Sequence, residues 1–143
     1  ATATFRHLIT FGGHPIASAA ALANLSIFER EDLVGNSKRM GTYLFEQLQE
    51  LYKHKIVGDV RGGLGLLAAV ELVADRDTKT AFPSDAGLAK KLPKMLFDHN
   101  IVSFRAGDVI SICPPLCISR GEVDFIVSAI DGALEQLESD LGI

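Results

Sequence analysis

Residues 56–73, IVGDVRGGLGLLAAVELV, decide the fold that the sequence predicts. Apolar and β-branched residues occupy both ends of this stretch, and a glycine cluster occupies positions 62–65. The ends favour strands, whereas the cluster favours a turn or a bulge. We therefore predict strands at residues 57–60 and 66–72 with a glycine-rich turn between them. A dinucleotide-binding loop is not indicated, because the G-x-G-x-x-G spacing is absent and no helix follows.

A second pair of short β-branched segments, residues 101–104 and 109–112, flanks Arg105-Ala106-Gly107-Asp108. The pattern predicts two further strands joined by a tight turn that carries Arg105. An arginine held on a loop suits bidentate capture of a substrate carboxylate. An arginine exposed at a hairpin tip fits the same pattern, so both interpretations remain open at this point.

Segments with helical character precede, separate and follow these strands in the sequence. Apolar residues recur at helical spacing in three segments, which predict helices at residues 32–52, 86–98 and 121–137. An Ala- and Leu-rich stretch from Ile16 has almost no charge before Glu29, which predicts a further helix buried on most sides. Helices alternating with paired strands predict an α+β (α/β) fold, with helices covering one face of a small antiparallel or mixed sheet.

Several residues mark the helix ends. Pro15 suits the first turn of the first helix, and Asp32 is a candidate cap for the second. Pro93 predicts a kink or a shortening of the third helix. Ser119, with Glu122 three residues later, predicts a capping box at the start of the last helix. Leu48 and Ile130 are predicted core residues of the second and last helices.

Bulk properties exclude several classes of function. The net charge of −4 and the scattered basic residues give no nucleic-acid footprint. No signal peptide and no apolar run long enough for a membrane span are evident, so a cytoplasmic protein is expected. Cys113 and Cys117 have no second Cys/His pair at matching spacing, so neither a metal site nor a disulfide framework is predicted.

A candidate anion contact lies at the start of the first helix. Gly12-Gly13-His14-Pro15 leads into that helix, and Thr10 supplies a hydroxyl just before it. Backbone N–H groups at a helix N-terminus attract phosphate, aided by the helix dipole. An ordinary turn into a helix explains the same residues, and their local pattern does not decide between the two.

Several blocks of the sequence together resemble the class III, omega-transaminase-like aminotransferases. HLITFGGHP at residues 7–15 is similar to the family pattern H-G-x-T-[FY]-x-G-H-P, with Leu8 in place of the glycine. The remaining blocks follow in family order and span nearly the whole chain: EREDL at 29–33, VGDVRGGLG at 57–65, GDVISICPPL at 107–116 and EVD at 122–124.

The resemblance implies a pyridoxal-phosphate-dependent transferase of fold type I that works as a homodimer on small amine and keto acid substrates. It implies that Thr10 contacts the cofactor phosphate and that Arg105 binds the substrate carboxylate. The family's Schiff-base lysine lies upstream of the segment matching residues 7–15, so this chain supplies no catalytic residue and is expected to be an inactive C-terminal fragment. Residues 1–30 would end the large cofactor-binding domain, and residues 31–143 would form the C-terminal small domain.

Two alternatives remain open on the sequence. The chain is either part of a longer transaminase or a free-standing, non-catalytic interaction or regulatory module descended from that family. A decarboxylase, racemase or aminomutase on the same scaffold is a third reading, since fold similarity does not fix chemistry. The VGDVRG and PPL blocks favour an omega-amino-acid or amine transaminase over the ornithine branches.

Overall fold

The computed structural model describes residues 9–103 and 105–143, apart from the side chains of Arg105 and Ala106. The chain divides into two compact units, residues 1–33 and 34–143. The assignment of residues 1–30 to a large domain and of residues 31–143 to a small one stays a prediction.

The described part of the first unit, from residue 9 onward, consists of a turn and one helix. Helix α1 runs from Pro15 to Arg30 with proline in its first turn, as the sequence predicts. No α1 side chain is buried, contrary to the predicted burial on most sides. Ile16 is 76% exposed and Leu22 is 66% exposed. The nearly uncharged helix therefore has an apolar surface that no described residue buries.

The described residues of the second unit form three helices and four strands. They are α2 (Leu33–Gln49, whose first residue closes the first unit), β1 (Val57–Arg61), β2 (Ala68–Leu72), α3 (Leu88–Asp98), β3 (Arg105–Ala106), β4 (Val109–Ile112) and α4 (Arg120–Leu141). Two short 3₁₀ turns, Glu50–Lys53 and Ser84–Ala86, precede β1 and α3. The α+β class predicted from the sequence is confirmed.

The four strands form one antiparallel sheet in the order β1-β2-β4-β3. Val70 in β2 lies opposite both Val60 in β1 and Ile110 in β4. Side chains directly opposite one another project to the same face of a sheet, so these three residues form one apolar row. A bulge interrupts the β1–β2 register between Val57 and Asp59.

The core lies between this apolar face and the helices. It joins alternate strand residues to one stripe of each helix; among its fully or almost fully buried members are Leu44, Leu48, Val70, Leu72, Leu92, Leu96, Ile110, Ile130 and Leu134. The predicted burial of Leu48 and Ile130 is confirmed, since both are 0% exposed. The predicted arrangement, with helices on one face of a small sheet, is also confirmed.

The predicted strand at residues 101–104 is wrong for residues 101–103, and residue 104 lies outside the described residues. Asn100 has a left-handed φ of +62°, and the Ile101 N–H donates to the Leu96 carbonyl at 2.8 Å. This is the Schellman pattern that closes α3. The Ser103 hydroxyl then donates to the Ser111 carbonyl at 2.6 Å, so a side chain occupies an acceptor on β4 that a continuous strand would have used.

Asp32 directly precedes Leu33, the first residue of α2, and its role as the cap of that helix stays a prediction. Two other predicted element starts are corrected. Helix α3 begins at Leu88 rather than at residue 86, because Gly87 takes a left-handed φ of +70°. Strand β2 begins at Ala68 rather than at residue 66, since the turn extends past Gly65, whose φ is +69°.

The ends of the other helices agree better with the sequence. The capping box of α4 is confirmed, with Ser119 accepting from the Glu122 N–H and Glu122 accepting from the Ser119 N–H. Helix α4 continues four residues beyond the predicted end at 137. Helix α3 continues to Asp98, five residues beyond Pro93.

A close contact between backbones fixes α2 against the glycine-rich turn. A Cβ added at Gly41 would lie 2.0 Å from the Gly65 carbonyl oxygen and 2.3 Å from its carbonyl carbon. These atoms belong to the backbone, so no side-chain rotation relieves the clash. Glycine at position 41 therefore lets α2 lie directly on the loop between β1 and β2.

We expect Gly41→Ala to lower the free energy of unfolding by about 1–3 kcal/mol, because the added methyl must push helix and loop apart. Gly121→Ala is the matched control, since Gly121 also lies in a helix but has nothing within 4 Å of an added Cβ. That control should be neutral or slightly stabilising through helix propensity. Urea unfolding of both variants measures the difference, and equal stabilities would contradict the contact.

Candidate functional site

Thr10 lies in a tight, exposed turn that leads into α1. The Gly12 N–H donates to the Ile9 carbonyl at 3.2 Å, and the His14 N–H donates to the Phe11 carbonyl at 3.2 Å. Gly13 takes φ +78°, a conformation that a residue with a Cβ adopts only with strain. The turn leaves Thr10 exposed, and its hydroxyl has no hydrogen bond to another described residue.

At the N-terminus of α1, next to this turn, backbone N–H donors have no acceptor within the helix. His14 is the N-cap residue, but its side chain makes no capping hydrogen bond. Helix geometry leaves the N–H groups of Ile16 and Ala17 without acceptors inside the helix. Pro15 adds no donor of its own. An exposed threonine in the turn before a helix N-terminus fits the chemistry of a phosphate group, which accepts several hydrogen bonds and is stabilised by the helix dipole.

Arg105 lies in the second unit, in strand β3 rather than in the turn that the sequence predicts. It pairs with Ile110, and Ala106 pairs with Val109. The turn itself consists of Gly107, at φ +64°, and Asp108. Glycine at the first position of a two-residue hairpin loop is typical of a type II′ turn. The hairpin ladder therefore fixes the Arg105 backbone, while its side chain lies outside the described part of the structure.

A groove of about 270 Å³ lies beside β4 and the end of α3. Its lining is mostly apolar; among its members are Ile101, Val102, Ile112, Pro114, Ile126 and Ile130. Val102 is 89% exposed and Cys113 is also exposed. The groove can receive an apolar side chain or a small apolar group, and the Ser103–Ser111 hydrogen bond lies in its wall.

The sheet face opposite the core carries a row of charges. The Arg61 guanidinium donates to Glu71 and, at 2.8 Å, to Asp59. The hydrogen bond to Glu71, followed by that to Asp59, raises the pKa of Arg61. The Tyr52 hydroxyl donates to Asp59 at 3.3 Å and accepts the Val60 N–H at 3.0 Å. Arg61, which belongs to the VGDVRG block, is therefore held in place from both sides.

Arg76 is a second arginine with several hydrogen bonds, and the sequence did not predict its role. Its guanidinium donates to the carbonyls of Val57 at 2.8 Å, Tyr52 at 3.0 Å and His54. It also lies 5.5 Å from the centre of the Tyr52 ring. Arg76 thereby links the loop after β2 to the segment that leads into β1. Only the position of a lone arginine in a polar loop marks it in the sequence, and that signal is too common to be specific.

Other candidate features carry no site among the described residues. Cys113 and Cys117 are free and exposed. No group of three or more His, Cys, Asp or Glu side chains within residues 9–103 and 105–143 is arranged to hold a metal ion. In the same part of the chain, no helix combines the length and apolarity that crossing a bilayer requires.

Comparison with known proteins identifies the family. The model of the class-III aminotransferase family matches residues 1–134. A taurine–pyruvate aminotransferase of Bilophila wadsworthia is 40% identical over 147 aligned positions, which cover 99% of this chain and 32% of that protein. An uncharacterised aminotransferase of Sinorhizobium fredii is 39% identical over 141 positions, covering 96% of this chain and 30% of that protein.

Solved structures give the same result. An (S)-enantioselective omega-transaminase from Thermomicrobium roseum superposes with a TM-score of 0.85 at 38% identity, covering 96% of this chain and 30% of that one. The chain belongs to the class-III aminotransferases. The resemblance predicted from the HLITFGGHP, VGDVRGGLG and PPL blocks is thereby confirmed.

The matched relatives are much longer than this chain. It spans about 30% of the length of the curated relatives. Proteins of this family use pyridoxal phosphate as cofactor and transfer amino groups. The roles of Thr10 and Arg105 in binding that cofactor and its substrates stay predictions.

Proposed function

We propose that the chain is the C-terminal part of a cytoplasmic, homodimeric aminotransferase that moves an amino group between an amine or amino acid and a keto acid. The observation that carries this proposal is the match to class-III aminotransferases along almost the whole chain, at about 30% of the length of each relative. Pyruvate is a candidate acceptor, because the name of a 40% identical relative includes it.

The residues of the chain would contribute binding rather than the reacting nitrogen. Pyridoxal phosphate supplies the electron sink for this chemistry when it is bound. The Thr10 hydroxyl and the open amides of α1 would hold the phosphate and so fix the position of the cofactor. Arg105, anchored by the β3–β4 hairpin, would orient the substrate carboxylate through two parallel hydrogen bonds.

The apolar surface of α1 fits the same proposal. Ile16, Leu22 and Leu25 are all more than half exposed, and helix α1 carries no charge before Glu29. Such a surface is costly in water and usually marks an interface. In the longer enzyme it would pack against the large domain that carries the lysine. In the alternative, a free-standing interaction module, it would receive a separate partner protein.

An assay of the protein expressed from its native gene separates the two proposals. We expect a product roughly three times the length of this chain, consistent with the 30% coverage of its relatives, that converts pyruvate and an amine donor into alanine. The 143-residue chain alone should bind no cofactor covalently and give no alanine. A native product of 143 residues without transaminase activity would favour the interaction module.

The Thr10 role is tested in the full-length protein with Thr10→Val. Loss of a hydrogen bond to a charged phosphate costs about 1.5–3 kcal/mol, so we expect cofactor Kd to rise roughly 10- to 100-fold. Thr10→Ser retains the hydroxyl and should restore most of the affinity. Fluorescence titration of the cofactor-free protein measures Kd directly. An unchanged Kd in Thr10→Val would remove Thr10 from the phosphate site.

The Arg105 role is tested with Arg105→Gln in the same protein. We expect KM for the keto acid to rise about 10- to 100-fold, since a charge-assisted pair is lost, with little change in KM for an amine donor that has no carboxylate. Arg120→Gln is the control, because Arg120 instead stacks on the Tyr43 ring at 4.2 Å. Equal changes for both substrates would show that Arg105 does not read the carboxylate.

A further inference from the structure

Strand β1 forms one outer edge of the sheet, and the two-residue strand β3 forms the other. β1 is five residues long, so it is the longer of the two edges. A strand at a sheet edge carries N–H and C=O groups that point away from its single neighbour and can pair with a strand of another molecule. The outer edge of β1 is therefore the place where this sheet is most open to a second chain.

Side chains of the same chain bind the backbone along this edge. The Val60 N–H donates to the Tyr52 hydroxyl at 3.0 Å, and the Val57 carbonyl accepts from Arg76 Nε at 2.8 Å. Just before the strand, the Ile56 N–H donates to the Glu138 carboxylate at 3.3 Å. Each of these backbone groups thus has a partner at a point where an added strand would have to supply one.

Tyr52 and Arg76 also hold each other in place. The Tyr52 hydroxyl donates to the Asp59 carboxylate at 3.3 Å, so it acts on β1 both as a donor and as an acceptor. The Arg76 guanidinium lies 5.5 Å from the centre of the Tyr52 ring and donates to the Tyr52 carbonyl at 3.0 Å. It donates to the His54 carbonyl as well. The two side chains therefore form one cover over the edge.

The loop that carries Arg76 is closed by its own hydrogen bonds. The Ala74 N–H donates to the Thr80 carbonyl at 2.8 Å, and the Thr80 N–H donates to the Asp75 carbonyl at 3.0 Å. The Asp75 carboxylate accepts the Thr78 N–H at 2.8 Å. Arg76 is exposed, so its contact with the edge lies at the surface, where a second strand would approach.

The shape of β1 adds to this cover. A bulge interrupts the register with β2 between Val57 and Asp59, and Gly58 lies within it. Bulges twist an edge strand away from the flat geometry that pairing with another molecule needs. Asp59 and Arg61 place charges on either side of Val60, and charged side chains also oppose pairing at an edge.

We propose that Tyr52 and Arg76 close the outer edge of β1 against pairing with a second copy of this chain. Pairing through backbone hydrogen bonds needs only an extended strand, whatever its side chains. The same edge on another copy is always present at the concentration of the protein itself. Removal of either side chain exposes a backbone group of β1 that a second molecule can bind.

Tyr52→Phe in the full-length protein tests this proposal. It removes the hydroxyl that accepts the Val60 N–H and keeps the ring beside Arg76. Tyr43→Phe is the matched control, because it removes a hydrogen bond of 2.5 Å to Asp124 that joins α2 to α4 and not to the edge of β1. Loss of one hydrogen bond should raise the unfolding constant by a similar factor in both variants, roughly 2- to 10-fold.

Sedimentation over a range of protein concentrations measures association. We expect Tyr52→Phe to shift with rising concentration to species larger than those of the wild type, whereas Tyr43→Phe sediments like the wild type. Hydrogen-exchange mass spectrometry follows the peptide that contains Val60. In Tyr52→Phe this peptide should lose protection at low protein concentration and regain it at high concentration, because an added strand supplies the missing acceptor.

Three results would contradict the proposal. Tyr52→Phe that keeps the wild-type size at every concentration, although the Val60 peptide has lost protection, shows an open edge that does not pair. Unchanged exchange of that peptide shows that Tyr52 does not protect the edge. Equal association of Tyr43→Phe attributes the effect to lost stability.

Arg76→Gln is the second variant if Tyr52→Phe does not fold. It removes the donor to the Val57 carbonyl, so we expect the same concentration-dependent shift to larger species. Sedimentation of folded Arg76→Gln like the wild type at all concentrations would then decide against the proposal.

Discussion

Val70 and Ile110 face each other across β2 and β4, and both are completely buried. Alternate residues of a strand point to opposite faces of the sheet, and these two residues point to the same face. Helices must cover that face to remove the two side chains from water. Three helices meet this requirement with one apolar stripe each, which includes Leu48, Leu92 and Ile130. The three helices therefore pack with these stripes on this single face of the sheet.

The same requirement determines where polar chemistry lies in the second unit. Residues that alternate with the buried ones point away from the core, so Asp59, Arg61 and Glu71 form their charged row on the opposite face. Backbone contact between Gly41 and Gly65 sets how closely α2 approaches the turn between β1 and β2. The β3–β4 hairpin ends the sheet and fixes the backbone that carries Arg105.

Much of this fold follows from local sequence rules, and its exceptions have local causes. Segments of β-branched residues predict β1 and β4, helical periodicity predicts α2, α3 and α4, and an Ala- and Leu-rich stretch predicts α1. The Ser119–Glu122 capping box marks the start of α4. The apolar run at 101–104 looks like a strand, but a left-handed Asn100 closes α3 across it. Periodicity does not reveal such a closure, because it depends on one backbone angle.

Candidate functional residues are less predictable than the fold. Thr10 is predicted because it lies in a motif, and the structure adds that it is exposed in the turn that leads into α1. The contacts of His54 with Asp131 and Glu138 are not predicted, since these partners lie 77 and 84 residues away in the chain. The seven-residue spacing of Asp131 and Glu138 places them on one helix face, but only the fold brings a histidine to that face.

We propose that these 143 residues are the C-terminal part of a pyridoxal-phosphate enzyme whose lysine lies upstream. Borohydride reduction of the protein from its native gene, followed by peptide mapping, locates the lysine that carries the cofactor. We expect the label on a lysine that precedes Ala1 in the longer chain. A label on a lysine within residues 1–143, or no label at all, would contradict the claim.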